Sequence, residues 1–159
     1  MLLQGINRKP RLVKKISGTF ANNTTLFSLS KNKKYIIFWK AKNTATDYAY
    51  INWQYGADTT TANYNFQFYW VNNTTLQGSA ANGQRIGVCG IPDFSIGYTF
   101  IDGTAKQCIT NINFVLSTAA VSNVQYTSRY IGNDTGDITI FVYNTGGGNY
   151  TLEMVIYEV

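Results

Sequence analysis

The sequence predicts an all-β protein, an antiparallel β-sandwich of jelly-roll-like type with about eight to ten strands. Three observations predict it. Apolar residues recur at every second position in segment after segment, and nowhere at helical spacing over more than a turn or two. Aromatic residues make up 15% of the chain, with 19 Thr and 17 Asn among 159 residues, a mixture that suits pleated, half-buried strands joined by tight turns. Short polar clusters ("SKNKK", "GADTTTAN", "QGSAANGQ", "IDGTAKQ", "GNDTGD", "NTGGGN") punctuate the apolar segments at strand-length intervals.

Taken in order, the first strands are expected near residues 14–21 and about 25–30, parted by "NNTT". The pentapeptide "NNTTL" occurs at Asn22–Leu26 and again at Asn72–Leu76, but the surroundings of the two copies diverge, so it is a strand-corner device and not a repeat unit. Lys31, Lys33 and Lys34 form a corner ahead of a strand near 34–42, whose "YIIFW" is the longest purely apolar run and far short of the ~20 residues of a membrane helix. A strand near 47–55 places Tyr48 and Tyr50 opposite Ile51 and Trp53. In "NYNFQFYW", near 63–71, Tyr64, Phe66, Phe68 and Trp70 share one face, while Asn65, Gln67 and Tyr69 share the other. Further strands are expected near 84–91, 95–101, 109–117, 124–131, 137–144 and about 149–158, with two of the eleven segments expected to merge with a neighbour or prove to be loops and "QGSAANGQ" read as a loop. The alternation of wet and dry faces favours antiparallel pairing.

At this length one domain with an ordinary core suffices, burying ~70% of the unfolded surface. Residues 1–42 hold ten Lys/Arg and no acid, whereas residues 43–159 hold three Lys/Arg against eight Asp/Glu. The division expected is a basic N-terminal arm, 1–15, and a sandwich domain, 16–159. Arg8, Lys9, Arg11, Lys14 and Lys15 would anchor that arm on an acidic partner, protein or nucleic acid. The N-terminus has no apolar run behind its charges and does not read as a signal peptide. Cys89 and Cys108 make no disulfide framework; they are expected as small apolar fillers, or as one bridge if their strands are neighbours.

Catalytic chemistry is not expected. The chain has no histidine, which removes Ser-His-Asp and Cys-His nucleophile systems, and it has no phosphate-binding glycine loop. No cofactor and no metal centre is expected. Asn133, Asp134 and Asp137 in "GNDTGD" could form a weak oxygen-ligand loop, but a plain turn is the simpler reading. Tyr48, Tyr50 and Tyr69 are the candidate interface or glycan-contact aromatics, because a Tyr/Asn/Gln face can stack on a sugar or pack against another subunit.

The stretches "KKISGTFANNTTLFSL" into "KNKKYIIFWKAKN", and the closing "GDITIFVYNTGGGNYTLEMVIYEV", resemble small β-sandwich virion proteins of tailed bacteriophages, of head-decoration, head-fibre or fibre-tip type. The resemblance is one of pattern and brings no functional residue with it. It implies a structural protein of the virion that forms a symmetric homo-oligomer, a trimer first of all, mounted on other virion proteins and able to contact a host surface glycan. Two alternatives remain: a small jelly-roll coat protein whose basic arm faces nucleic acid, and a carbohydrate-binding, lectin-like module. Nucleic acid ranks low as a partner because the arm holds only five basic residues. A hydrolase ranks last.

Overall fold

The computed structural model describes residues 9–43, 49–72, 75–89, 94–115, 121–144 and 149–159. Among them are twelve strands: β1 (Arg11–Phe20), β2 (Thr25–Leu29), β3 (Lys34–Asn43), β4 (Ala49–Tyr55), β5 (Tyr64–Asn72), β6 (Thr75–Asn82), β7 (Arg85–Cys89), β8 (Phe94–Asp102), β9 (Gln107–Val115), β10 (Val121–Tyr130), β11 (Ile138–Asn144) and β12 (Tyr150–Glu158). One 3₁₀ turn, Thr61–Asn63, precedes β5. The all-β sandwich is therefore as expected, with more strands than the eight to ten anticipated.

Every pairing is antiparallel. An eight-stranded sheet runs β1-β12-β3-β8-β9-β10-β5-β6, and a four-stranded sheet runs β2-β11-β4-β7. From β1 to β5 the chain changes sheet at every step, which is the jelly-roll character. Three consecutive pairs, β5–β6, β8–β9 and β9–β10, stay in the large sheet and widen it beyond a kernel of four strands facing four. The edge strand β7 packs across β8, β9 and β10 and so closes the sandwich on that side.

The sequence alternation becomes the two faces of each sheet. In β3, Tyr35, Ile37, Trp39 and Ala41 are buried, while Lys34, Phe38, Lys40 and Lys42 are exposed. In β12, Tyr150, Leu152, Met154 and Ile156 are buried. Trp53 of the small sheet donates its indole N–H to Ser128 Oγ of β10 at 2.9 Å, joining the two layers through fully buried atoms. Trp39 donates to Thr99 Oγ1 at 3.2 Å, and Thr99 and Thr110 both donate to the Ile86 carbonyl, so the polar atoms placed in this core are largely paired. Cys108 is free and fully buried, and burial pushes its thiol pKa up; Cys108 acts as a filler. The side chain of Cys89 lies outside the described residues.

Two sequence expectations are corrected here. The sequence reads "QGSAANGQ", residues 77–84, as a loop, since Gly78, Ser79, Ala80 and Ala81 carry no apolar alternation, yet Thr75–Asn82 forms edge strand β6, paired with β5 from Asn65↔Asn82 to Asn72↔Thr75. The Tyr69 ring lies over Gly78, where any Cβ would stand 2.7 Å from its Cδ1, so the large residue covers the strand that lacks one. The arm boundary also moves. Arg11, Lys14 and Lys15 belong to β1, registered with Glu158, Ile156 and Val155 of β12 across a bulge at Leu12/Lys14. Backbone hydrogen bonds to β12, with Ile16 and Phe20 packed on the core, hold these charges in an edge strand. Lys9 is exposed just ahead of it, and Arg8 lies outside the described residues.

The first "NNTTL" is a corner: Asn23 takes φ 59°, and Thr24 donates both its N–H and its Oγ1 to the Ala21 carbonyl before β2 starts at Thr25. The second falls where β5 passes to β6, with residues 73–74 outside the described set.

Candidate functional site

Two surfaces stand out, one on the outer face of each sheet. On the large sheet, cross-strand registers assemble rows of outward side chains. One row reads Leu12, Tyr157, Ile36, Phe100, Ile109; the next reads Lys15, Val155, Phe38, Tyr98, Asn111, Gln125, Tyr69. Phe38 and Ile96 are each half exposed, and Tyr98 and Leu12 nearly so. The Phe38 ring lies 6.4 Å from that of Tyr98 and 6.3 Å from that of Tyr157, so the aromatics form one continuous cluster. A shallow groove of about 530 Å³ runs along it past Ser17, Phe38, Ile96 and Val155.

Charge flanks this apolar half in both signs, with Lys15 at its β1 edge and lining the groove together with Lys40 and Glu153. Lys34 meets Asp102 at 2.8 Å at one end, and Lys40 meets Glu153 at 3.8 Å at the other. At the corner of β1, Glu158 binds Arg11 at 2.6 Å and Lys33 at 2.9 Å, and those two cations lower its pKa, Lys33 more than Arg11. The Lys31–Lys34 corner thus spends its charges on the protein's own acids and turns: the Lys31 N–H also donates to Asp137.

Across β9, β10 and β5 the same face turns polar. Asn123 donates to Asn113 at 3.0 Å, and Asn111 donates to the Tyr98 hydroxyl at 2.9 Å. Tyr69 stands in this amide field, 49% exposed.

The second surface is a pocket of about 730 Å³ on the outside of the small sheet. Asn52 and Gln54 of β4 and Thr139, Phe141 and Tyr143 of β11 line it, together with Arg85 at the start of β7. Tyr50 sits beneath Arg85, whose guanidinium carbon is 4.1 Å from the ring centroid, and it stacks on Tyr143 at 6.4 Å. Tyr50 is only 8% exposed, covered by Arg85 and Tyr143, so it is not the exposed contact aromatic expected; Tyr69 is exposed on the opposite sheet, and no single site contains both. Tyr48 lies outside the described residues.

The "GNDTGD" segment is structural. Asp134 accepts N–H bonds from Gly136 at 2.7 Å and Ala57 at 3.0 Å, and these lower its pKa. Gly56, at φ 50°, leaves the space that the Asp134 carboxylate fills. Asp137 accepts from Lys31, and Asn133 is exposed. Among the described residues no group of three or more His, Cys, Asp or Glu is placed to hold a metal ion. Nearby, Tyr55 and Tyr130 stack with centroids 4.8 Å apart, and Tyr64 leans on Tyr130 at the same distance. The Tyr130 hydroxyl donates to Asp58 at 2.7 Å, which with Asn63 and Thr60 holds the Asp58 carboxyl down at about 2. Burial, with that bond second, pushes Tyr130 up to about 12. This aromatic plug ties the loops at one end of the sandwich and presents no reacting pair.

Sequence reasoning missed Phe38, Tyr98, Asn52 and Arg85. Phe38 and Tyr98 could have been found as large apolar residues on the wrong parity of an amphipathic strand. No protein-family model matches this chain, and neither does any curated protein.

Proposed function

We propose that the chain is a non-enzymatic structural protein that assembles as a symmetric homo-oligomer, a trimer first of all, through the outer face of its large sheet, and that it serves as a virion component of the decoration or fibre type. The observation that carries the self-association is the apolar patch formed by the exposed Phe38, Tyr98 and Ile96 with the half-buried Tyr157 beside Phe38, on the outer face of an otherwise amphipathic sheet. A second copy is the occupant that fits. The centre of the patch is uncharged, and its two ends carry both Lys and Asp/Glu, so copies related by rotation can bring opposite charges together without a dedicated partner. Covering a half-exposed Phe or Tyr removes on the order of 100 Å², which stabilises association by roughly 2–3 kcal/mol per side chain. The virion setting is supported by the pattern resemblance and by the jelly-roll-like sandwich. Multiple weak contacts per oligomer would give lasting attachment to a repeating particle surface.

Sedimentation velocity tests the reading. The wild type is expected as one closed oligomer at micromolar concentration. Phe38→Lys is expected to weaken it by roughly 30-fold or more, with an unchanged far-UV circular dichroism spectrum. A wild-type monomer at tens of micromolar refutes the self-association. Purified particles from the producing culture that lack the chain refute the virion role.

A further inference from the structure

We propose that the pocket on the outside of the four-stranded sheet binds an acidic saccharide, a sugar that presents hydroxyls and one carboxylate. The inference is separate from the self-association, since the pocket and the apolar patch lie on the outer faces of opposite sheets.

The first observation is Asn52. It is 7% exposed, it lines the pocket, and its Oδ1 accepts no hydrogen bond among the described residues. A buried carbonyl left unpaired is costly, by about 1–3 kcal/mol, and native structures keep few of them. A ligand hydroxyl would supply the missing donor. The second is Arg85. Among the described residues no carboxylate lies within ion-pair distance of it, and its guanidinium carbon lies 4.1 Å from the centre of the Tyr50 ring and 5.6 Å from that of Phe66. Packing against two aromatic rings restrains the guanidinium fork, which favours bidentate capture of a carboxylate. These two groups come from separate strands, β4 and β7, paired at Asn52↔Arg85.

The remaining lining narrows the class. Gln54 and Thr139 supply amide and hydroxyl partners, and Phe141 and Tyr143 supply ring surface for the C–H face of a sugar. The volume lies within the ~300–1,000 Å³ span of small-ligand pockets. Among the described residues no Asp or Glu lines it, and Arg85 is the only cation that does. A single cation suits a carboxylate monoanion; a phosphate dianion or a nucleic-acid backbone calls for several. An apolar ligand would leave the amides and hydroxyls without partners.

Calorimetric titration of the full chain with sialyllactose and with digalacturonate, against lactose as the neutral control, tests this. Saturable binding of at least one acidic sugar, roughly tenfold or more tighter than lactose, is expected. Arg85→Gln should erase that preference. Because Arg85 also packs on Tyr50, a second variant, Thr139→Trp, fills the pocket from the floor and should abolish binding while leaving the fold and Arg85 intact. Phe38→Lys should bind as the wild type does even if assembly is lost, which separates this inference from the previous one. No saturable heat with either acidic sugar, unaltered binding in Thr139→Trp, or tighter binding of an acidic peptide would each overturn the saccharide assignment.

Discussion

Gly97 offers a sharp test of the packing that supports the apolar face. Gly97 of β8 is registered against Trp39 of β3, and the indole occupies the space a side chain would need. A Cβ there would lie 2.4 Å from Trp39 Cζ2, 2.7 Å from Cε2 and 2.8 Å from the backbone oxygen of Asn111. The backbone oxygen cannot yield, so the indole must. Trp39 is 3% exposed and donates to Thr99, and moving it loosens that bond as well. Overpacking costs about 1–3 kcal/mol and the hydrogen bond about 1 kcal/mol, so Gly97→Ala should destabilise by roughly 2–4 kcal/mol. For a domain of this size that lowers Tm by roughly 5–15 °C. Thermal melts followed by circular dichroism at the aromatic bands measure it. Gly18→Ala, where the Cβ would meet only the movable Phe20 ring at 3.2 Å, is the control and should shift Tm by far less. A Gly97→Ala melt within a degree or two of wild type would refute the placement of Trp39.

Three further outcomes concern the aromatic plug and the tie between the layers. The Asp58 pKa is lowered to about 2 from 3.8, so its contribution to stability is complete above pH ~4 and is lost as pH falls through about 2; Asp58→Asn should flatten the acid limb of urea midpoint against pH, and an acid limb parallel to wild type would contradict the Tyr130–Asp58 bond. Tyr130 is raised to about 12 from 10.0, so its contribution holds below pH ~10 and fades through about 12; Tyr130→Phe should flatten the alkaline limb in the same series. Ser128→Ala leaves the buried Trp53 N–H without its acceptor and should cost roughly 1–3 kcal/mol, whereas the same change in a Trp53→Phe background should cost roughly 1 kcal/mol less; strict additivity in that cycle would remove the inter-sheet tie.

Much of the architecture was legible locally. A strand's side chains alternate by geometry, so the parity of Tyr64, Phe66, Phe68 and Trp70 against Asn65, Gln67 and Tyr69 followed from spacing alone, and the structure buries Tyr64 and Phe66, half-buries Phe68 and Trp70, and exposes the other three. The corner at Asn22–Thr25 was legible for the same reason, since Asn tolerates positive φ whatever lies around it. Strand β6 was not legible, because "GSAAN" has no apolar face and becomes a strand only where the edge of β5 offers a ladder. Nor were the charges of Arg11–Lys15 informative about order: a basic run reads as an arm until β12 supplies its backbone partners.

By itself, then, the sequence determined the period of its strands, the identity of most inward residues and the chemistry of its turns, all of which depend on neighbours a few positions away. Only the tertiary structure decided which strand lies beside which. That choice set Phe38 next to Tyr98, 60 positions on, and Asn52 next to Arg85. Surfaces of that kind arise from hydrogen-bond registers between distant segments, and no local pattern encodes a register that the other strand must complete.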